Sequence, residues 1–267
     1  MTENIPNRSG DPFTTDDESQ ILNTIDRWLE KDVKDKVLAL DHADEYPTQM
    51  VEQMKSLGLF GATISQRYGG LGMPSASYAK VVTAVSEVWM SLTGIFNSHL
   101  IMAAAVERFG TEEQRQRFLP KFATGEIRGG LALTEPSCGT DLQAIRTKAH
   151  KDGDHYVING AKTWISNGIQ GDCVALLVKT DTEIQPRHKG MSLFLAEKGP
   201  GFSVGPKLKK LGYKGIDSAE LFFDDYVIAA NNLIGGQEGH GFHHTVGGLE
   251  LGRINIAARG VGVANAA

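Results

Sequence analysis

Two short stretches carry the side chains from which a ligand site could be built. The first is Leu131-Ala132-Leu133-Thr134-Glu135-Pro136-Ser137-Cys138-Gly139-Thr140-Asp141, where a short apolar segment runs into a turn rich in hydroxyls, Gly and Pro. Thr134, Ser137 and Thr140 set three hydroxyls around one loop, and Gly139 permits close backbone approach. A chain with no Walker motif can hold a phosphate or the polar edge of a ring in this way. The second stretch, Trp164-Ile165-Ser166-Asn167-Gly168, delivers an indole, an apolar side chain and a hydroxyl at the end of a strand. Alone, the first is accounted for by a strand-ending turn and the second by a core tryptophan. Together they suit a flat ligand with a polar edge.

The other candidate residues carry less. His240, His243 and His244 are interrupted by Gly241, and no carboxylate or Cys completes a zinc-like set, so they read as a solvated loop and helix start. Gly236, Gly239 and Gly241 do not follow a strand in the order of a dinucleotide-binding fingerprint. Lys207, Lys209 and Lys210 read as a solvated turn. Cys138 and Cys173 read as free thiols, with Cys138 packing rather than doing redox work.

The elements that must position these stretches change period along the chain. From about Asp16 to Ser91 apolar residues recur at helical spacing, with Ile21, Leu22, Ile25, Trp28 and Leu29 on one stripe and Val51, Met54, Leu57 and Leu59 on another. Tyr68–Pro74 is a loop by composition, and Ser75–Trp89 reads as a helix. A further helix, from about Ser91 to Phe109, is apolar nearly all round and so buried. Thr111-Glu112-Glu113-Gln114 has the form of a capping box and opens a short helix ending near Phe122.

Gly130–Thr134, Ala144–His150, His155–Ile165, Cys173–Lys179, Met191–Ala196 and Ala219–Phe223 are short and rich in β-branched or aromatic residues. Lys151-Asp152-Gly153-Asp154 is a hairpin turn between two of them. The fold class expected is a multidomain α+β protein with an N-terminal all-α domain, a middle antiparallel β-barrel-like domain and the start of a C-terminal α-helical bundle. The boundaries expected are a flexible arm over 1–15, helical domain 16–128, β domain 129–238, and a first C-terminal helix in 239–267. In that helix Leu249, Ile254, Ala257, Ala258, Val261 and Ala264 lie close to one face. One helix cannot bury such a face alone, so further chain or a partner subunit is expected to cover it.

At 267 residues, 41% hydrophobic and 22% charged, the composition is that of a globular protein with a substantial core. A net charge of −5 gives no basis for nucleic acid or an anionic membrane as partner. No apolar run reaches the roughly 20 residues that span a bilayer. The polar, acidic N-terminus lacks an apolar signal region, and the location expected is the cytoplasm.

Several co-linear pieces resemble the acyl-CoA dehydrogenase family. Ala132–Asp141 is similar to its TEP-x-x-G-[ST]-D signature, and Asn159–Gly168 to its NG-x-K-x-[WY]-I-[ST]-NG segment. Tyr68–Gly72, Arg108–Gln114 and Gly248–Arg253 add to the likeness, which covers nearly everything after the N-terminal arm. The resemblance implies FAD between the middle domain and a C-terminal bundle. Leu131, Leu133 and Thr134 would meet the isoalloxazine, Thr140 the pyrophosphate, Gly139 would also bind the cofactor, and Trp164, Ile165 and Ser166 would take one flavin face and its edge. Thr140, Glu250 and Arg253 would border the CoA substrate, and the acyl chain would enter beside the Ile95–Met102 helix.

The reaction implied is α,β-dehydrogenation of an acyl-CoA to a trans-2-enoyl-CoA in fatty acid metabolism. Electrons would pass to an electron-transfer flavoprotein, and the assembly expected is a homotetramer or a heteromer. The family's catalytic glutamate is expected beyond Ala267. A minority of members carry it directly before the arginine that matches Arg253, where this chain has Gly252. Glu250 lies two positions earlier, about 200° around a helix, and would point elsewhere. It is also spaced to pair with Arg253, an alternative to contact with the substrate. The catalytic base is therefore unassigned. The alternatives are a non-dehydrogenating relative, such as an oxidase or desulfinase, or a non-catalytic flavin- or CoA-binding subunit of a heteromer.

Overall fold

The computed structural model describes residues 13–267. The expected arm, 1–15, lies outside the described residues except for its last three. Thr14 caps helix α1 (Thr15–Trp28) in a capping box with Asp17. Its inward stripe buries Ile25 and Trp28, and Leu29 opens a π turn over Leu29–Val33. Two short helices follow, α2 (Val37–Ala43) and α3 (Thr48–Ser56), and Trp28 Nε1 of α1 donates to Gln53 Oε1 of α3 at 3.0 Å.

Helix α4 (Ser75–Phe109) is the spine of this layer. Its two sequence segments join with a break at Trp89, whose φ/ψ of −158/104° is not helical. Trp89 Nε1 donates to Asp41 Oδ1 at 3.1 Å, fixing the kink against α2. Contrary to the apolar-run reading, α4 is long and apolar enough to pass for a membrane span. However, 78% of its most apolar window is buried inside the protein, so it is a core helix here. Helix α5 (Glu112–Thr124) begins at the Thr111–Gln114 capping box.

Seven strands follow: β1 (Gly129–Ala132), β2 (Lys148–Asp152), β3 (His155–Ser166), β4 (Cys173–Lys179), β5 (Met191–Glu197), β6 (Phe202–Lys207) and β7 (Ser218–Ala229). They form one sheet in the order β1-β4-β2-β3-β7-β6, with β5 paired to β4. The pairing is mostly antiparallel, but β1 and β2 both run parallel to β4. Strand β6 escaped sequence reading because Gly205 and Pro206 break its alternation.

Strand β4 explains how the sheet meets the helices. Its unbroken apolar run has two buried faces. Cys173, Ala175 and Leu177 join the helical core, while Val174, Leu176 and Val178 pack with Phe194, Tyr156 and Phe223 on the other side.

Helix α6 (Gly241–Ala266) lies against α4, with a buried stripe different from the expected one. The inward positions are Gly248, Gly252, Asn255, Ala258, Arg259 and Gly262, whereas Ile256, Val261 and Val263 are exposed. Small residues win because the axes approach closely: a Cβ on Gly262 would strike Ser86 Cβ at 2.8 Å. Polarity alone could not report that spacing.

Candidate functional site

Strand β3 aims the site through one irregularity. Period-2 alternation puts Tyr156, Ile158 and Lys162 on the inward face. Lys162 pairs with Leu221 and Ile165 with Ala219, so three steps on β3 match two on β7. The extra residue is a bulge. Because of it Ile165 is buried as Lys162 is, while Trp164 turns outward at 56% exposure. Trp164 has φ of +61°, a conformation that costs energy for a bulky residue.

The hydroxyl loop sits next to it. Thr163 N donates to Thr134 O at 2.9 Å, tying the exit of β1 to the bulge. Glu135 and Cys138 exchange backbone hydrogen bonds of 2.9 and 3.1 Å, making Pro136-Ser137 the tip of a tight turn. Beneath the turn, Lys162 Nζ donates to Glu135 Oε1 at 2.8 Å and to Leu133 O at 3.0 Å. Glu135 also accepts from Arg146 N at 2.6 Å and Thr147 N at 3.0 Å. One carboxylate therefore closes both ends of the loop. Burial pushes the Glu135 carboxyl up, but the Lys162 ammonium and the hydrogen bonds outweigh this and leave it below the usual glutamate value. Burial draws Lys162 down to about 8 against the pull of Glu135.

An open cleft of about 530 Å³ lies over these elements, lined by Thr134, Ser137, Cys138, Gly139, Thr163 and Trp164, with Leu208 and Glu220 on its far side. Leu131 and Leu133 are half-buried at the end of β1. Gly139 and Thr140 are exposed, and a Cβ on Gly139 would meet only Thr134 Cγ2, at 3.9 Å. The chain's own packing thus does not demand a glycine there. An outward indole held at energetic cost, a hydroxyl rim and a glycine free for close approach fit a flavin nucleotide. Ile165 can offer only its backbone, since its side chain is in the sheet core. Ser166 is half-buried beside it. Asn167, which sequence reasoning passed over, donates from Nδ2 to Ile95 O at 2.8 Å and to Gly129 O at 2.9 Å, so this edge is locked to α4.

Helix α6 departs from expectation. Glu250 does not pair with Arg253; it accepts from Arg108 Nη1 of α4 at 2.8 Å. Both Glu250 and Arg253 are exposed. Gly252 faces α4, where a Cβ would meet Ile101 Cδ1 at 2.6 Å, so a carboxylate there would have to displace Ile101. His244 is not solvated: it is buried and stacked on Phe109 with ring centroids 4.6 Å apart. Nor is the lysine turn free, since Lys207 Nζ holds Asp44 Oδ1 at 2.7 Å and Lys210 Nζ holds Ile216 O at 2.8 Å. Among the described residues no group of His, Cys, Asp or Glu is arranged to hold a metal, and both cysteines are free. Lys162 was the most legible of the missed residues, because an inward charge on an apolar strand must have a partner.

Comparison with known proteins decides the family. The model of the acyl-CoA dehydrogenase N-terminal domain matches residues 15–126, and that of the acyl-CoA dehydrogenase middle domain matches 130–226. The chain belongs to the acyl-CoA dehydrogenase family. A short-chain specific acyl-CoA dehydrogenase of Clostridium acetobutylicum is 37% identical over 255 residues, covering 95% of this chain and 66% of the relative. The structure of butyryl-CoA dehydrogenase from Megasphaera elsdenii superposes with a TM-score of 0.90 at 32% identity, covering 96% of this chain and 68% of that one. A glutaryl-CoA dehydrogenase of Mycobacterium smegmatis, solved in complex with FADH2, gives 0.84 at 25% identity, covering 94% and 62%. The chain spans about two thirds of the length of these acyl-CoA dehydrogenases.

Proposed function

We propose that the protein is an FAD-dependent acyl-CoA dehydrogenase that converts an acyl-CoA thioester to the trans-2-enoyl-CoA and passes the electrons to an electron-transfer flavoprotein. The observation that carries this reading is the Trp164 bulge set against the Thr134–Thr140 loop. It yields one apolar plane and one hydroxyl edge, held rigid by Lys162 and Glu135. FAD supplies the acceptor for the β-hydride when bound. The chain's residues do the positioning. Leu131 and Leu133 offer an apolar floor, Trp164 covers a face, and Thr134 and Ser166 offer polar contacts at the ring edge. Gly139 and Thr140 leave room for the phosphate side. Asn167 fixes this edge to α4, beside which the acyl group would enter. The carboxylate on α6 does not stand free as the base: Glu250 is engaged by Arg108, and Gly252, the position before Arg253, is packed on Ile101.

The test is anaerobic titration of the flavin-loaded protein with straight-chain, branched and dicarboxylic acyl-CoAs. Bleaching of the flavin by at least one thioester, with enoyl-CoA formed in equal amount, is expected. Bound flavin that no thioester bleaches would overturn the proposal. Peroxide release in air without an added acceptor would point to an oxidase of the same fold instead.

A further inference from the structure

Arg259 of α6 is 8% exposed and has no carboxylate partner among the described residues. Its Nη1 donates to the Tyr213 hydroxyl at 2.7 Å and its Nη2 to Asn255 Oδ1 at 2.6 Å, while Nε is buried with no partner. The guanidinium lies 5.1 Å from the Tyr213 ring centroid. Tyr213 has φ of +57°, and its hydroxyl rests so closely on Gly94 of α4 that no side chain fits there. Three residues on, and so on the same face of α4, the buried Asn97 amide has an oxygen with no partner. A buried cation with only neutral partners is costly to hold, and so is a strained tyrosine. Structural need does not explain the charge, because a neutral donor would serve Tyr213 and Asn255 as well.

The position of this cluster gives it a use. Asn167, at the end of the Trp164 strand, binds Ile95 O, and Tyr213 contacts the adjacent Gly94. The flavin-side edge and the Arg259 cluster therefore meet the same turn of α4, about 5 Å of helix axis. We propose that Arg259 selects a carboxylate at the far end of a short acyl group, so that the substrate class is the CoA thioester of a dicarboxylic acid. A guanidinium fork matches a carboxylate in two parallel hydrogen bonds, and Nε with one Nη is the pair of donors left for it. The Asn97 amide, turned to present its NH2, is placed to add a third. This assignment rests on the acyl-CoA dehydrogenase reading and narrows it.

The test uses the full-length, flavin-loaded protein and measures binding as well as turnover. Dissociation constants for glutaryl-CoA and 2-methylsuccinyl-CoA are compared with those for valeryl-CoA and butyryl-CoA, from the perturbation of the flavin spectrum. Tenfold or tighter binding of the dicarboxylic member of each pair is expected. The Arg259→Gln variant should lose that preference, and Arg259→Lys should keep part of it. Equal or tighter binding of the uncharged thioesters by the unaltered protein would overturn the assignment, whether or not the variants fold. So would an undiminished preference in Arg259→Gln. Bleaching by the uncharged thioesters alone would overturn the carboxylate assignment yet leave the dehydrogenase reading standing. Failure of all four thioesters to bind would overturn the carboxylate assignment, while bleaching by a longer or branched acyl-CoA would leave the dehydrogenase reading standing.

Discussion

Lys162 under the hydroxyl loop and Arg259 between α4 and α6 are both buried cations, yet the fold treats them in opposite ways. Lys162 has a carboxylate at 2.8 Å and a carbonyl at 3.0 Å, and that carboxylate also takes two backbone N–H groups. Arg259 has a phenol, an amide oxygen and an idle Nε. A charge whose partners are all internal fixes the backbone around it. A charge left with neutral partners is available to something that arrives later. The first kind builds the rim on which the flavin is proposed to rest, and the second faces the proposed end of the substrate.

The largest expected effect is on the closed pair. Lys162→Met leaves Glu135 buried with its countercharge gone, and removing one partner of a buried pair costs about 3–5 kcal/mol. Urea unfolding of the variant should show that loss, and the protein should retain less flavin after gel filtration. Adding Glu135→Gln should recover part of the stability, since it removes the uncompensated buried charge while its one amide oxygen can still accept from either Arg146 or Thr147. If Lys162→Met unfolds at the same urea concentration as the parent, the pair is not what holds the loop, and the contrast with Arg259 collapses.

His99 of α4 represents a third solution, a buried titratable group kept neutral. It donates from Nε2 to Phe122 O at 3.0 Å, Phe60 and Phe122 pack edge-on against its ring, and Nδ1 has no partner. Burial lowers its pKa from 6.5 to about 4. The sign follows from linkage. Between these values the unfolded chain takes up the proton and the folded one does not, so stability falls as pH drops from about 6.5 toward 4 and levels off below. The full drop for this one group is of order 3 kcal/mol. Unfolding free energy measured from pH 7 to pH 4 should show it, and His99→Gln should flatten the slope even if it lowers the plateau. An unchanged slope would assign the acid sensitivity elsewhere, first to His244, which burial and its histidine neighbours also lower to about 4.

How much of this was legible differs between the two cations. The loop and the Trp164 segment could be read because residue types fix local geometry: Gly139, Pro136 and the hydroxyls announce a turn, whereas the inward Lys162, which alternation on β3 places, was missed. The bulge could not be read, because it depends on the register against β7 rather than on β3 itself. The helical domain emerged with its Thr111 cap and its α4 break because helix signals are local. Arg259 was invisible for the opposite reason. Its stripe on α6 is glycine, alanine and asparagine, so the face that packs on α4 is the less apolar one, and sequence reasoning chose the face carrying Val261. Likewise Glu250 found Arg108, 142 residues away, rather than the neighbour that helical spacing offered.

The smallest expected effect is the one that most sharpens the comparison. If Arg259 were structural in the manner of Lys162, its removal would cost several kcal/mol. If it is held for a ligand, Arg259→Met removes a desolvated charge and exchanges it for an apolar chain of similar length. The lost hydrogen bonds to Tyr213 and Asn255 then offset the relief of burial. The ligand-free variant should unfold within about 1 kcal/mol of the parent, since replacing buried charge by apolar groups is often neutral or stabilising. Urea denaturation of the two proteins side by side decides the matter. A loss comparable to that of Lys162→Met would make Arg259 a second closed clamp, and the division between charges that build the site and charges that await a ligand would not hold.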